Sequence, residues 1–382
     1  MSSWIQRHAD AICARAEREL EALVAVSSPS GDVHGAEEAV AVAAALAPAQ
    51  ATVERVPCSS PDHAPDVVMS VAGSGSARLL LVGHVDTVVA HADHRPLARE
   101  GDRLVGSGAI DMKGGDVLAL GVLRALVERA GDFAEAALLL VCDEEWRLGP
   151  FAHVERFAHF DACLCFEAGE LVRDGDGGPP TEGVVVRRKA AGTIEVTARG
   201  RSAHSGSAPD RGINALLALA GAAQAVAACH DPGGPRRLTA VPTVLRAGEA
   251  LNVVPGSGEL LADVRADGAD AFQGVLDAIP AEVGGATLEA RLLREWPGMD
   301  SGAAAAGPLA RAGAALGRPV VGASRGGASD ASHFAAAIPL TIDGLGARGG
   351  GAHAPDEYVS AASLRPRAEV ALAVVDAVLA RD

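Results

Sequence analysis

Seven side chains in this sequence are of the types that hold and activate a divalent metal: His84, Asp86, Asp111, Glu144, Glu145, Glu167 and His353. His84 and Asp86 follow the apolar run Leu79–Val82 and Gly83. Residues two apart on a strand share a side, so the pair can project together from the strand's exit. There the carboxylate can fix the imidazole's tautomer or support it from behind. Alone, H-x-D is a weak signal, because a metal site needs several ligands. The other candidates follow the same logic. Glu144 and Glu145 come after AALLLV, Glu167 ends DACLCFE, Asp111 sits within GSGAIDMKGG, and His353 lies in the loop GGGAHAPDE. Two histidines among several carboxylates are too oxygen-rich for a structural zinc, which takes Cys and His. They suit a two-metal hydrolytic site, where a carboxylate bridges ions about 3.5–4 Å apart. Of two adjacent glutamates, one can bind metal while the other stays free to take a proton from water and return it.

The elements that must position these residues are an α/β set. Trp4–Val26 and Gly35–Leu46 carry helical spacing, Val53–Val56 and Val67–Ala72 read as short strands, and Val117–Arg129 reads as a helix. Leu79–Val82, Ala136–Val141 and Asp161–Phe166 are buried strands with carboxylates or histidine at their exits, the usual place for sites in open α/β sheets. This predicts a domain with a mostly parallel central sheet. Val88–Arg103 reads as irregular, and Leu171–Gly183, containing DGDGGPP, as a flexible loop. The pattern then changes: strands at Thr193–Arg199, Leu238–Leu245 and Gly258–Arg265 alternate with helices at Gly212–Cys229 and Ala269–Ile279. That predicts a small α+β domain over 191–295, inserted into a discontinuous domain of 1–190 and 296–382. The chain resumes at Ala303, includes a strand near Pro339–Ile342 and ends in a helix over Ser363–Ala380.

Composition narrows the function. The formal net charge is −16, a surface that repels nucleic acid and anionic membranes. The N-terminus lacks the apolar core and basic flank of a secretory leader, and no window approaches the roughly 20 apolar residues of a membrane span. The six cysteines form no C-x-x-C pair and read as buried free thiols in a reducing compartment, so a cytoplasmic location is expected.

The motifs also carry a resemblance. GHVDTV (83–88), GSGAIDMKGG (106–115), DEE (143–145), FEAG (166–169), GRSAHSG (200–206), NVVP (252–255), DVR (263–265), GGASDASHF (326–334) and GAHAPDEYV (351–359) stand in the order of the co-catalytic zinc peptidase and deacylase family. That family includes glutamate carboxypeptidase, acetylornithine deacetylase, succinyl-diaminopimelate desuccinylase and the aminoacylases. The resemblance implies two Zn2+ per chain, with Co2+ or Mn2+ as alternatives. His84 and Glu167 would hold one ion, Glu145 and His353 the other, and Asp111 would bridge them. Asp86 would orient His84, Glu144 would be the general base, and Asp111–Met112 would be a cis peptide. The inserted domain would be a lid and dimerisation domain. His204 would reach the partner subunit's site and steady the oxyanion, and Asn252 and Arg325 would hold the oxyanion or a substrate carboxylate. The implied protein is a homodimeric amide hydrolase of a small carboxylate-bearing substrate.

Other readings stand beside this one. RRKAAGTIEVTARGRSAHSG resembles the glutamate carboxypeptidase branch more than the desuccinylases, so a carboxypeptidase or N-acyl amino acid hydrolase leads, with acetylornithine deacetylase-like or desuccinylase-like action as the rival. A non-catalytic binding homologue would require a missing ligand or base, and none is missing. A serine or thiol hydrolase lacks a nucleophile-elbow motif. His91, His94 and His333 read as surface or packing residues, and Arg187-Arg188-Lys189 as a solvated run.

Overall fold

The computed structural model describes residues 1–173 and 180–380. The chain opens with helices α1 (Ser3–Val24) and α2 (Val33–Leu46) and strands β1 (Thr52–Val56), β2 (Asp66–Ala72) and β3 (Ala77–His84). Helix α3 (Gly114–Leu126) and strands β4 (Phe133–Val141), β5 (Ala162–Cys165) and β6 (Thr181–Arg188) follow. Next come β7 (Ala190–Arg199), α4 (Ala215–Ala228), β8 (Thr239–Ala247), β9 (Ser257–Ala266), α5 (Phe272–Ala278) and β10 (Ala286–Trp296). The chain closes with α6 (Gly302–Leu316), β11 (Val320–Arg325), β12 (Thr341–Ile342) and α7 (Ala361–Leu379). It divides into two compact units. One takes in the chain up to Arg187, Asp300–Arg325 and the part from Ser329 onward; the other holds Arg188–Met299 with Gly326–Ala328.

The first unit is an α/β layer structure. Its sheet runs β1-β2-β4-β3-β5-β12, with β4–β3, β3–β5 and β5–β12 parallel and the β1–β2 edge antiparallel. Leu79–Val82 and Ala136–Val141 are wholly buried. Such unbroken apolar runs are what a parallel sheet covered on both faces demands. Helix α1 starts at Ser2, whose hydroxyl accepts from Ile5 N–H, and buries the stripe Ile5, Ala9, Ile12, Ala16, Leu20 and Leu23. That three-and-four spacing is one helix face turned to the core. Helix α3 lies so close to the exit of β5 that a Cβ on Gly115 would stand 1.8 Å from the Phe166 carbonyl oxygen.

Several stretches differ from the sequence reading. Ala98–Glu100 and Arg103–Val105, within and just after a stretch expected to be irregular, join Tyr358–Ser360 and Gly349–Gly350 in a small antiparallel sheet. Long-range pairing, invisible to local periodicity, makes these strands. The expected loop over Leu171–Gly183 begins and ends as strand: Glu170–Val172 pairs antiparallel with the start of β6. Residues 174–179, the core of DGDGGPP, lie outside the described residues. Of the six free cysteines, Cys142, Cys163 and Cys165 are buried, whereas Cys13 on α1, Cys58 in the loop after β1 and Cys229 at the end of α4 are half-buried.

The second unit is α+β. Its antiparallel sheet runs β8-β9-β7-β10, ending in the short strand Glu282–Val283, and α4 and α5 cover one face. Ile194, Val196 and Ala198 alternate into that core. Strand β10 had no strand signal in the sequence. Its middle is exposed or half-buried, Glu289 and Arg291 point it toward water, and its register against β7 shifts at Thr193/Ile194. A bulge of this kind interrupts the period-two pattern on which recognition depends.

Candidate metal centre

The first unit's sheet delivers the site. His84 is the last residue of β3, Glu144 and Glu145 form a turn just past β4, and Glu167 stands two residues past β5. Two further contributors come from loops. Asp111 lies in the turn before α3, with a cis peptide between Asp111 and Met112. His353, in left-handed backbone at φ 63°, is carried by the loop between two strands of the small sheet.

Asp111 sits at the centre. Its Oδ1 is 3.2 Å from His84 Nε2, and its Oδ2 is 3.1 Å from His353 Nε2. His84 Nε2 also lies 3.8 Å from Glu167 Oε1, and His353 Nε2 lies 3.2 Å from Glu145 Oε1. Two candidate ligand sets share Asp111, His84–Asp111–Glu167 and Asp111–Glu145–His353, each with donor atoms within 4.8 Å of one another, and a third group, His84–Glu144–Glu145, overlaps them. Three carboxylates packed around two imidazoles would repel one another without positive charge between them. The residues therefore fit a pair of divalent cations joined by one carboxylate. The imidazole tautomer fits as well: His84 Nδ1 is 3.0 Å from the Asp86 carbonyl oxygen, which places the ring proton there and leaves Nε2 as a lone-pair donor.

The electrostatics tell the same story. Burial opposes charge on His84, but hydrogen bonds to Asp111 and Asp86 outweigh it and raise the imidazole's pKa well above its ordinary value. Hydrogen bonds to Asp111 and Glu145 push His353 up to about 10. Asp111 is held well below the usual carboxylate range: its burial is overcome by its bonds to the two histidines. Both shifts record how strongly the carboxylates favour positive charge at the histidines' positions, a demand that divalent cations held by the neutral imidazoles would meet. Glu144 is buried, and its carboxyl is raised well above the ordinary range by burial first, then by the charges of Asp330, Glu167 and Glu145, against the opposing effect of His84.

Asp86 does more than back His84. Its carboxylate oxygens accept the backbone N–H groups of Glu144 and Glu145, each at 3.1 Å, so one buried acid fixes both the histidine and the glutamate turn. Sequence reasoning missed a second such acid, Glu357. Its carboxylate accepts N–H groups from Gly108, Ile110 and Asp111 at 2.8–2.9 Å, and so holds the loop that presents Asp111. Its place four residues after His353 in GAHAPDEYV was the available signal. Also missed were the buried charges Lys113, bonded to the Val26 carbonyl, and Asp116.

The remaining expected residues are not in these ligand sets. Arg325, at the end of β11, is half-buried, with Nε 3.2 Å from Glu170 Oε2. His204 and Asn252 are exposed residues of the second unit, beside each other across the short pairing of Ala203–His204 with Val253–Val254. His204 Nδ1 accepts N–H groups from Gly206 and Ser207 at 3.1 Å, which puts the ring's proton on Nε2 and makes that atom a donor. His333 packs in a stack on Phe151, with ring centroids 5.0 Å apart. Arg187 pairs with Asp300 and Arg188 is buried against the Gly327 carbonyl, so the basic run is only partly solvated.

Comparison with known proteins gives a consistent family. The model of peptidase family M20/M25/M40 matches residues 80–377. Carboxypeptidase G2 of Pseudomonas sp. (strain RS-16) is 27% identical over 381 residues, covering 94% of this chain and 88% of that protein. Succinyl-diaminopimelate desuccinylase of Methylorubrum extorquens (strain PA1) is 31% identical over 239 residues, 56% of this chain and 59% of that protein. Among solved structures, aminopeptidase PepT from Bacillus cereus ATCC 10987 superposes with a TM-score of 0.74 at 20% identity, covering 96% of this chain and 98% of that one. The M20 family metallo-carboxypeptidase Sso-CP2 from Sulfolobus solfataricus gives 0.70 at 16% identity, covering 99% and 100%. At such identities the structural likeness shows the fold alone.

Proposed function

The chain belongs to peptidase family M20/M25/M40 and is a metal-dependent hydrolase acting on amide bonds; from that premise we propose that it cleaves a peptide or N-acyl amide bond in a small carboxylate-bearing substrate with two zinc ions. The observation that carries this reading is the division of Asp111, one oxygen toward His84 and the other toward His353, with Glu144 buried beside the ligands and belonging to neither of the two sets that share Asp111.

In this reading His84 and Glu167 hold one ion, Glu145 and His353 the other, and Asp111 both. Bound there, divalent cations supply Lewis-acid chemistry, polarising the scissile carbonyl and lowering the pKa of water toward about 7. Glu144 does the proton work. Its buried carboxyl has the raised proton affinity of a group that takes a proton from attacking water and delivers it to the leaving nitrogen. Asp86 keeps His84 in its donor tautomer and Glu144 and Glu145 in place.

The substrate is read by residues outside the ligand sets. Arg325 exchanges Glu170 for the substrate's carboxylate, an exchange suited to a planar guanidinium. Asn252 holds the oxyanion or that carboxylate. His204, with its proton on Nε2, donates to the oxyanion in the partner subunit of a homodimer. Exposed Leu216 and Leu217 on α4 and Val241 and Leu245 on the edge strand β8 supply apolar surface for that pairing. The location is cytoplasmic; among the described residues no helix is long and apolar enough to cross a membrane.

The match to carboxypeptidase G2 over nearly the whole chain favours a carboxypeptidase or N-acyl amino acid hydrolase. The higher identity to a desuccinylase over about half the chain favours N-acyl deacylation as the second reading. A panel of N-acetyl amino acids, N-acyl glutamates, N-succinyl diaminopimelate and dipeptides, run with and without zinc, tests both. Zinc-dependent release of glutamate supports the first and of diaminopimelate the second; no turnover of any member removes both.

A further inference from the structure

The turn that carries Glu144 and Glu145 is gripped from two sides. Asp86 holds its N–H groups from one side. From the other comes Arg147, a residue without a role in the chemistry above. Its side chain is fully buried. Nε and Nη2 donate to Asp143 Oδ1 at 3.0 and 2.8 Å, while Nη1 and Nη2 donate to Asp330 Oδ1 and Oδ2 at 2.5 and 3.2 Å. The guanidinium also lies over the Phe151 ring, 4.4 Å from its centroid.

Geometry makes this more than a core ion pair. Asp143 directly precedes the two glutamates and Arg147 follows them by two residues, so the Asp143–Arg147 bridge closes the turn across its base. Asp143 is itself fixed, because its Oδ2 accepts Ser60 N–H at 2.9 Å. Asp330 belongs to the loop ahead of the short helix Ala331–Phe334, and its charge acts on Glu144. The residues flanking Arg147 point the other way: Trp146 and Leu148 are each 57% exposed. The chain has therefore turned one long cation inward between two apolar side chains left in water. That arrangement is favoured only if the buried fork is well satisfied.

We propose that Arg147 is a positioning residue that locks the Glu144–Glu145 turn to the Asp330 loop and so sets where the base and one metal ligand stand. The proposal rests on the hydrolase reading above for the roles of those glutamates. Only a planar fork with several donors can span two carboxylates in this way. Arg147→Lys keeps the charge but loses the fork; Asp330→Asn keeps the Arg147–Asp143 bridge but loses the outer anchor.

The test measures zinc affinity by chelator competition, kcat and KM on the best substrate of the panel, and the thermal midpoint of each metal-free variant. Outer supports of metal ligands typically change affinity or activity about 10- to 100-fold. Arg147→Lys and Asp330→Asn are each expected to weaken zinc binding and lower kcat within that range, with KM within about twofold of the parent chain. If only the thermal midpoint falls, while zinc affinity and kcat of the folded protein stay within about twofold, Arg147 is a packing residue and the proposal is overturned. Should one variant not fold, the other decides by the same criteria. A parent chain that binds zinc but cleaves no panel member defeats the hydrolase substrate reading alone, and the zinc affinities still decide for or against Arg147. A parent chain that binds no zinc defeats both.

Discussion

Glu144 and Asp116 are both buried carboxyls with raised pKa values, yet they do opposite things. Glu144 stands against the ligand sets, and its replacement tests the proton work directly. Glu144→Gln keeps the shape and removes the base, so kcat is expected to fall about 100- to 10,000-fold with zinc content unchanged by metal analysis. Asp116 sits on α3, fully buried, with neither carboxylate oxygen hydrogen-bonded among the described residues. Burial pushes it up to about 8. Between its ordinary value of 3.8 and 8, the folded chain holds a proton that the unfolded chain has lost. Its contribution to stability is therefore largest at low pH and declines as pH rises toward 8. Asp116→Asn is expected to flatten the fall of the thermal midpoint between pH 4 and 8 and to raise the midpoint at pH 8; an unchanged slope would reject the assignment.

At the scale of elements, precision comes from close approach and from backbone N–H groups that find an acid. Helix α3 can meet the exit of β5 only because residue 115 has no side chain. Gly115→Ala would drive a Cβ into the Phe166 carbonyl, next to Glu167. The expected result is a loss of about 1–3 kcal/mol by denaturant unfolding, the usual cost of overpacking, together with weaker zinc binding as Glu167 is displaced. Glu357 supports the Asp111 loop through three N–H groups. Glu357→Ala would leave these donors without their buried acceptor, and on the order of 1–3 kcal/mol of stability is expected to be lost in the same assay. An unchanged midpoint would mean that water replaces the carboxylate fully.

For the molecule as a whole, the proposed homodimer makes a prediction about mass. Light scattering should give two chains, and the paired substitution Leu217→Glu and Val241→Glu should give one, because charge is placed on both apolar elements of the second unit. If His204 works in the partner's site, that monomer should fold and bind zinc while losing most of its turnover. A dimer that survives the pair of substitutions would move the interface elsewhere.

Much of the candidate site was legible in local sequence, because most of the residues that could hold a metal stand at strand exits and strands announce themselves as apolar runs. His84 ends β3, and Glu145 and Glu167 follow β4 and β5 by four and two residues. Residue chemistry and motif order then pointed to a metal hydrolase family that the comparisons support. Other features were not legible for a common reason: they depend on partners far along the chain. The strands at 98–105 exist through pairing with 349–360, β10 hides behind a shifted register, and Glu357 acts across more than 240 residues. Arg147 looked like any charged loop residue, since nothing local shows that Asp330, 183 positions away, will meet it. What the sequence determined by itself was therefore which residues can bind metal and carry protons, and which strands end beside them. Only the tertiary structure decided how Asp111 is shared between two histidines and which buried acids and cation hold the glutamate turn. Sharing and holding are matters of distances of about 3 Å between remote segments, and these exist only once the chain has packed.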